Sequence, residues 1–245
     1  MQTQDDQNVY RFGDRDLPSN ETTKKSLQQY YDRFYESSEF RYYDERTTKS
    51  FLRALLRRAG VPDNSRILDV GCATGFYTEQ FRDIGSRSVG IDISRIGVLK
   101  GREKYSETQL AAGDASKMPF KMNSFDAVFM LGCSLTNTRD LQAIQSYHTY
   151  LTGFLRNGGV VISIGGSDFS GNTAQGSEWI YHTYEQIRNF VNRNEVDAEG
   201  PYITNLKLVS KIGRIGISKT LTRFLLKLPG SRRWTLIFFI RKKTH

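Results

Sequence analysis

The stretch Ile67-Leu-Asp-Val-Gly-Cys-Ala-Thr-Gly75 decides how this chain is read. Ile67–Val70 has the apolar character of a buried strand and runs straight into a glycine turn. A helix opening at Gly75 would aim its unpaired N–H groups at an anion or a carboxylate. Gly71 lets the backbone turn sharply and approach a ligand with no Cβ in the way, and Gly75 does the same at the helix entrance. Beyond it, short apolar runs alternate with helical segments. The runs Ser88–Ile91, Gln109–Ala112, Ala127–Leu131 and Val160–Ile164 read as strands, and Gly75–Asp83, Arg95–Tyr105 and Asp140–Arg156 as helices. Such alternation builds a parallel sheet with right-handed crossovers.

Working upstream, residues 1–22 are polar and poor in aliphatics and read as a flexible N-terminal arm. Residues 23–62 read as a helical lid. Its helical stretch runs from about Lys24 to Ala59, with Tyr30, Tyr31, Phe34 and Tyr35 first, then Phe51, Leu52, Leu55 and Leu56 on one face. Gly60, Val61 and Pro62 end it. Residues 63–245 form the main domain. Downstream of the fifth strand come a Gly/Ser-rich loop (Gly165–Ser177), a helix near Glu178–Asn192, and strands at Ile203–Val209 and Trp234–Ile240. The expected fold is α/β: a Rossmann-like, doubly wound, mostly parallel seven-stranded sheet whose last strand is antiparallel, with the lid at its N-terminal side.

Two further acids fall where such a sheet binds ligands, at the C-terminal ends of its strands. Asp92 closes Val-Gly-Ile-Asp-Ile-Ser, twenty-one residues beyond Gly71. A carboxylate there accepts hydrogen bonds from a ribose diol. Asp114 closes Ala-Ala-Gly-Asp-Ala-Ser and can accept from an exocyclic amine. The plainer alternative stays open: two turn glycines, and Asp92 as N-cap of the helix that follows.

Five segments in order, from about Asn64 to Ile164, give the chain a resemblance to the class I S-adenosylmethionine-dependent methyltransferases. These are ILDVGCATG, GIDIS, GDASKMPF, FDAVFMLGCSL and LRNGGVVIS. The resemblance implies S-adenosylmethionine as cofactor and S-adenosylhomocysteine as product. It places Gly71, Cys72, Ala73 and Gly75 around the methionine part, Asp92 on the ribose and Ile93 beside the adenine. Asp114 and Ala115 would read the adenine edge, and Leu131, Gly132 and Cys133 would lie beneath the sulfonium. Tyr31 and Arg46, in the stretch that looks like the family's lid, would close over the cofactor's amino-acid end. Ala73 departs from the glycine the family often has there. Together with Phe76 it argues against a dinucleotide fingerprint, which needs glycines at both positions.

The chain has 245 residues, 25% of them charged and 12% aromatic, an ordinary globular balance for one large domain. Cys72 and Cys133, its two cysteines, have no metal-like spacing, and no metal site is expected. No apolar run reaches the length of a membrane span and the N-terminus lacks a secretory pattern. The reading is therefore cytoplasmic, with membrane association left open. The net charge of +9 is uneven: eleven Lys or Arg and no acid follow Pro201. In Ile217–Leu228, Lys219, Arg223 and Lys227 line one face of an amphipathic pattern, near Trp234 and the Phe238/Phe239 pair. Such a face meets an anionic membrane surface or an acidic substrate, or is the solvated side of a packed helix.

Methyl transfer to a hydroxyl calls for a general base, and transfer to an amine for little beyond alignment. Of the three histidines, His245 is terminal and His148 falls in a helix expected to pack on the sheet. His182, in Trp179-Ile-Tyr-His-Thr-Tyr184, lies where the family builds acceptor walls and is the candidate base, with Tyr181 and Tyr184 beside it. The Asn-Pro-Pro-Tyr and Asp-Pro-Pro-Tyr motifs of base-flipping amino-methylases and a Pro-Cys nucleophile are absent. The expected acceptor is an oxygen or nitrogen of a small molecule: a sugar, a natural product or a lipid-linked intermediate. An RNA methyltransferase using the basic C-terminal face, or an inactive cofactor-binding subunit, is the alternative.

Overall fold

The computed structural model describes residues 21–38, 44–166, 180, 182–192, 197–204, 211, 215 and 235–242. The five strands expected between 66 and 166 form β1 (Arg66–Val70), β2 (Arg87–Asp92), β3 (Gln109–Ala112), β4 (Phe125–Leu131) and β5 (Leu155–Gly166), all paired in parallel. β6 (Asp197–Thr204) and β7 (Thr235–Arg241) complete a seven-stranded sheet of order β3-β2-β1-β4-β5-β7-β6, with β7 antiparallel to both its neighbours. The mostly parallel, Rossmann-like sheet with an antiparallel end is therefore present. Between β1 and β4 the strand order reverses, opening the crevice where such sheets bind ligands.

Both faces of the sheet are covered, which is why its strands read as continuous apolar runs. Alternate residues serve opposite cores. Ile67, Ala127, Phe129, Val160, Ile162, Ile237 and Phe239 pack with Phe51, Leu52 and Leu55 of α2 (Glu45–Ala59) and with Phe81 of α3 (Phe76–Asp83). Leu68, Val70, Val128, Met130, Val161, Phe238 and Ile240 pack with Ile144 and Leu151 of α5 (Leu141–Thr152) and Phe190 of α6 (Tyr184–Asn192). Two further helices, α1 (Glu21–Ser37) and α4 (Arg95–Lys104), pack on each other.

Several expectations are corrected. The helical stretch from Lys24 to Ala59 is two helices, because Asp44 starts a new one: its side chain accepts from the Thr47 amide at 2.9 Å. α2 belongs to the sheet's own core through Phe51, Leu52 and Leu55. It ends at Gly60, whose φ of +70° lets its N–H return to the Arg57 carbonyl. α5 stops at Thr152, since Leu155 is already paired with Phe125, so β5 begins earlier than Val160. The sixth strand is Asp197–Thr204 where Ile203–Val209 was expected. It is an edge strand tied by Glu199 and Tyr202 to Arg58 of α2, so side-chain pairing replaces an apolar run. Residues 1–20, Tyr181, the Ile217–Leu228 pattern, Trp234 and His245 lie outside the described residues.

Candidate functional site

β1 delivers Val70 to Gly71, whose φ of +74° turns the chain so that the Gly71 and Cys72 amides both donate to the Ile91 carbonyl of β2, at 2.9 and 3.1 Å. Gly75, at φ +76°, opens α3, and a Cβ there would stand 2.7 Å from the Leu110 side chain. Between them Ala73 holds φ +57°, a left-handed conformation that a Cβ disfavours. Its amide donates to Asp92 Oδ2 at 2.9 Å.

Asp92, at the end of β2, thus has one oxygen on the glycine loop. The other accepts the Ser94 amide at 2.9 Å. Burial pushes its carboxyl above the usual range, against the pull of these two amides, and Asp32 nearby pushes the same way. The cap of α4 is Ser94, whose Oγ accepts from the Gly97 amide at 3.0 Å, so Asp92 is not the N-cap. Ile93 follows, half-buried. Asp69, under the loop, accepts from Thr78 Oγ1 at 2.6 Å, and burial raises its carboxyl to about 7.

The third acid sits in a turn of its own. Asp114 Oδ1 accepts the Ser116 amide at 2.8 Å. Two tyrosines of α5 brace that turn: the Tyr147 hydroxyl donates to the Ala115 carbonyl at 3.2 Å, and the Met118 amide donates to the Tyr150 hydroxyl at 2.9 Å.

At the end of β4, Leu131 leads to Gly132, at φ +59°, and to buried Cys133. Cys133 Sγ lies 3.7 Å from where a Gly71 Cβ would be, so the β1 and β4 ends touch here. Burial raises this thiol to about 12, with Asp92 and Asp69 among its neighbours. Tyr31 reaches the same place from α1. Its hydroxyl hydrogen-bonds Ser134, and burial, helped by Cys133 and Asp92 close by, holds the phenol protonated.

Gly71, Ala73, Asp92, Cys133 and Tyr31 are therefore brought together, with Asp69, Asp32 and Ser134 added. Arg46 is exposed in the first turn of α2, near Asp44. Among the described residues it makes no hydrogen bond or ion pair to the glycine loop. His182 is buried against the loop after β4, its ring bonded to the Thr138 backbone, and burial lowers its pKa. Asn137 Oδ1 holds the Ile180 amide beside it at 2.7 Å. Tyr184 packs on the core below. His148 is buried between Phe190 and Phe238, its Nδ1 on the Ile144 carbonyl at 2.8 Å. Among the described residues no group of acids, histidines and cysteines could hold a metal ion, and no helix is long and apolar enough to cross a membrane.

Asp32, Ser134 and Asn137 escaped the sequence reading. Each acts on a residue far along the chain or on a backbone amide, and neither relation leaves a local pattern. Asp44 and Ser94 did leave one, a capping side chain just before a helix.

Residues 67–159 match the family described as a methyltransferase domain. The demethylmenaquinone methyltransferase of Renibacterium salmoninarum is 38% identical over 82 residues, which are 33% of this chain and 34% of that protein. That of Staphylococcus epidermidis is 30% identical over 150 residues, 58% of each. The chain thus spans between a third and three fifths of the length of these relatives. Among solved structures, 1,6-didemethyltoxoflavin-N1-methyltransferase of Burkholderia thailandensis, with 1,6-didemethyltoxoflavin and S-adenosylhomocysteine bound, superposes with a TM-score of 0.65. It is 15% identical, over 94% of this chain and 93% of that one. Residues 67–159 thus carry a methyltransferase domain, and the β3-β2-β1-β4-β5-β7-β6 sheet around them has the fold of the S-adenosylmethionine-dependent methyltransferases that the chain resembles.

Proposed function

We propose that the chain transfers a methyl group from S-adenosylmethionine to an oxygen or nitrogen of a small-molecule acceptor. The observation that carries this reading is the Asp92 carboxylate, held by the Ala73 and Ser94 amides against a left-handed glycine loop at the crevice between β1 and β4. The residues fit the cofactor. Gly71 and Gly75 hold the left-handed turns that the loop's backbone needs, and the buried Asp69 and Asp92 carboxyls, once ionised, give the site the sign that a sulfonium and an ammonium require.

Gly71, Cys72, Ala73 and Gly75 would hold its methionine part, Asp92 its ribose, and Ile93, Asp114 and Ala115 its adenine. Leu131, Gly132 and Cys133 would lie under the sulfur, with α1 as the lid bearing Tyr31 and with Arg46 at the amino-acid end. The bound cofactor supplies a methyl group open to direct displacement. The protein supplies alignment and exclusion of water. Tyr31, protonated through the neutral range, donates and orients. His182, kept neutral by burial, is competent to take a proton from a hydroxyl acceptor.

A small acceptor is supported by the crowding of the β4 end, where Tyr31 covers Ser134 and Asn137 pins the segment bearing His182. The names of the relatives put a demethylated quinone in the acceptor panel. The cationic excess after Pro201 adds anionic and lipid-linked acceptors, or an anionic membrane that presents them.

The test is calorimetric titration with S-adenosylhomocysteine, with NAD as control, followed by turnover of labelled cofactor on that panel and on RNA. Micromolar binding of S-adenosylhomocysteine without NAD binding is expected, with methylation of a small acceptor that falls at least a hundredfold in His182→Ala. No binding removes the cofactor assignment, and labelled RNA alone removes the acceptor class.

A further inference from the structure

Among the described residues, Ser94 links the lid helix to the ribose acid by hydrogen bonds on both sides. Its amide donates to Asp92 Oδ1 at 2.9 Å, while its hydroxyl donates to Asp32 Oδ1 on α1 at 2.6 Å. The same Asp32 oxygen accepts the Ile96 amide at 3.1 Å. Asp32 therefore caps α4 from another helix, sixty-two residues away, and places negative charge at its N-terminus. Lys100 of α4 answers by donating to the Tyr35 and Glu36 carbonyls at the C-terminal end of α1. Each helix thus completes an end of the other.

The packing between these polar ends is close. Tyr35 is 2% exposed, and its ring lies 3.0 Å from where a Gly97 Cβ would stand, so a side chain at 97 would press the Tyr35 ring out of its seat by a few tenths of an ångström. Tyr35 stands four residues after Tyr31 and three after Asp32, so it lies beside both on one side of α1. Seating Asp32 on Ser94 and Tyr35 on Gly97 is what brings the Tyr31 hydroxyl to Ser134.

We propose that Asp32 is a positioning residue, which through Ser94 couples the seat of the lid helix to the residue that binds the cofactor's ribose. The inference rests on the cofactor reading above. Ligand on Asp92 fixes Ser94 and so fixes the cap that Asp32 completes. A seated α1 in turn keeps Tyr31 over the ligand and slows its escape. By linkage, each stabilises the other.

The test measures association and dissociation of S-adenosylhomocysteine by stopped flow for the wild type, Asp32→Ala, Asp32→Asn and Ser94→Ala, with amide exchange of residues 25–38 followed in parallel. Asp32→Ala is expected to raise the off-rate about tenfold, the effect of losing a cap, with little change in on-rate. It should also abolish the ligand-induced protection of α1. Asp32→Asn keeps an oxygen acceptor for Ser94 and Ile96 and should return the off-rate to within about threefold of the wild type. On a Ser94→Ala background, Asp32→Ala should cost less than it does alone.

A wild-type off-rate in Asp32→Ala overturns the coupling, as does a slower one, which would mean that relief of repulsion from Asp92 outweighs the latch. Additive losses in the double variant overturn it too. Failure of the wild type to bind at all overturns the cofactor reading itself, and the two failures are told apart by that first trace. If Asp32→Ala does not fold, the Asn and Ser94→Ala traces decide: a faster off-rate in Ser94→Ala alone upholds the coupling, and equal rates in both overturn it.

Discussion

At the scale of single residues, the glycine loop carries one unresolved conflict between local preference and global fold. Ala73 adopts φ +57° so that its amide can meet Asp92. The left-handed conformation costs a residue with a Cβ on the order of 1–2 kcal/mol, and glycine nothing comparable. Glycine returns part of that through the greater entropy of its unfolded chain. Ala73→Gly should therefore stabilise the fold by about 0.5–1 kcal/mol, seen as a higher urea midpoint at unchanged slope. An unchanged or lower midpoint would show that the loop gains more from the Ala73 methyl, 8% exposed, than it loses in backbone strain. Gly71, Gly75 and Asp92 were legible because each ends or begins an element in a pattern with a mechanism. Asp32 and Ser134 were not, because what they do depends on α1 arriving at the ends of β2 and β4 from another part of the chain.

Elements were legible where both faces are buried. β1, β2 and β4 are apolar runs cut by an acid or a glycine, and the alternation of strand and helix gives the parallel sheet with right-handed crossovers. Legibility failed at the antiparallel edge, though not at β3 on the other edge. β6 contains Asp197, Glu199, Gly200 and Pro201, and owes its place to pairing with β7 and to Arg58 and Arg241 converging on Glu199. α5 shows how a helix packed on the sheet braces the turn that carries Asp114. Tyr147 and Tyr150, stacked at 6.0 Å, each hold one end of the 115–118 segment that follows Asp114. Tyr150→Phe leaves the Met118 amide, on a residue 8% exposed, without its acceptor. The cost expected is about 1–3 kcal/mol. Amide exchange should quicken at residues 115–118 with β1 unaffected, and S-adenosylhomocysteine should bind several-fold more weakly, whereas Tyr147→Phe, which frees only a carbonyl, should do less. Equal protection of 115–118 in both variants and the wild type would remove α5 from the support of the proposed adenine-binding turn.

Across the whole molecule, two buried titrating groups pull stability in opposite directions with pH. Asp69, beneath the glycine loop, is raised by burial from 3.8 to about 7. Folding takes up its proton between those values, so its contribution to stability is present at low pH and falls as pH rises from about 4 to 7. His148, between Phe190 and Phe238, is lowered by burial from 6.5 to about 4. Folding releases its proton, so stability is lost as pH falls from 6.5 toward 4. Burial acts on Asp92 and His182 with the same two signs. A tenfold change in proton affinity corresponds to about 1.4 kcal/mol, so either slope alone reaches a few kcal/mol, while together they nearly cancel between pH 4 and 6.5. The wild type should accordingly show a shallow dependence of urea stability on pH over that range. Asp69→Asn keeps an acceptor for Thr78 and removes the acid slope, so its stability should climb with pH. His148→Phe keeps an aromatic ring in the core and removes a buried Nε2 with no partner among the described residues, so its stability should decline with pH. Unfolding curves at pH 4.5, 5.5 and 6.5 decide the matter: stability that fails to decline with pH in His148→Phe would mean that Asp69 is already ionised in the folded chain. The negative charge awaiting a cationic cofactor would then be permanent; otherwise it is one that ligand binding draws out by releasing the Asp69 proton.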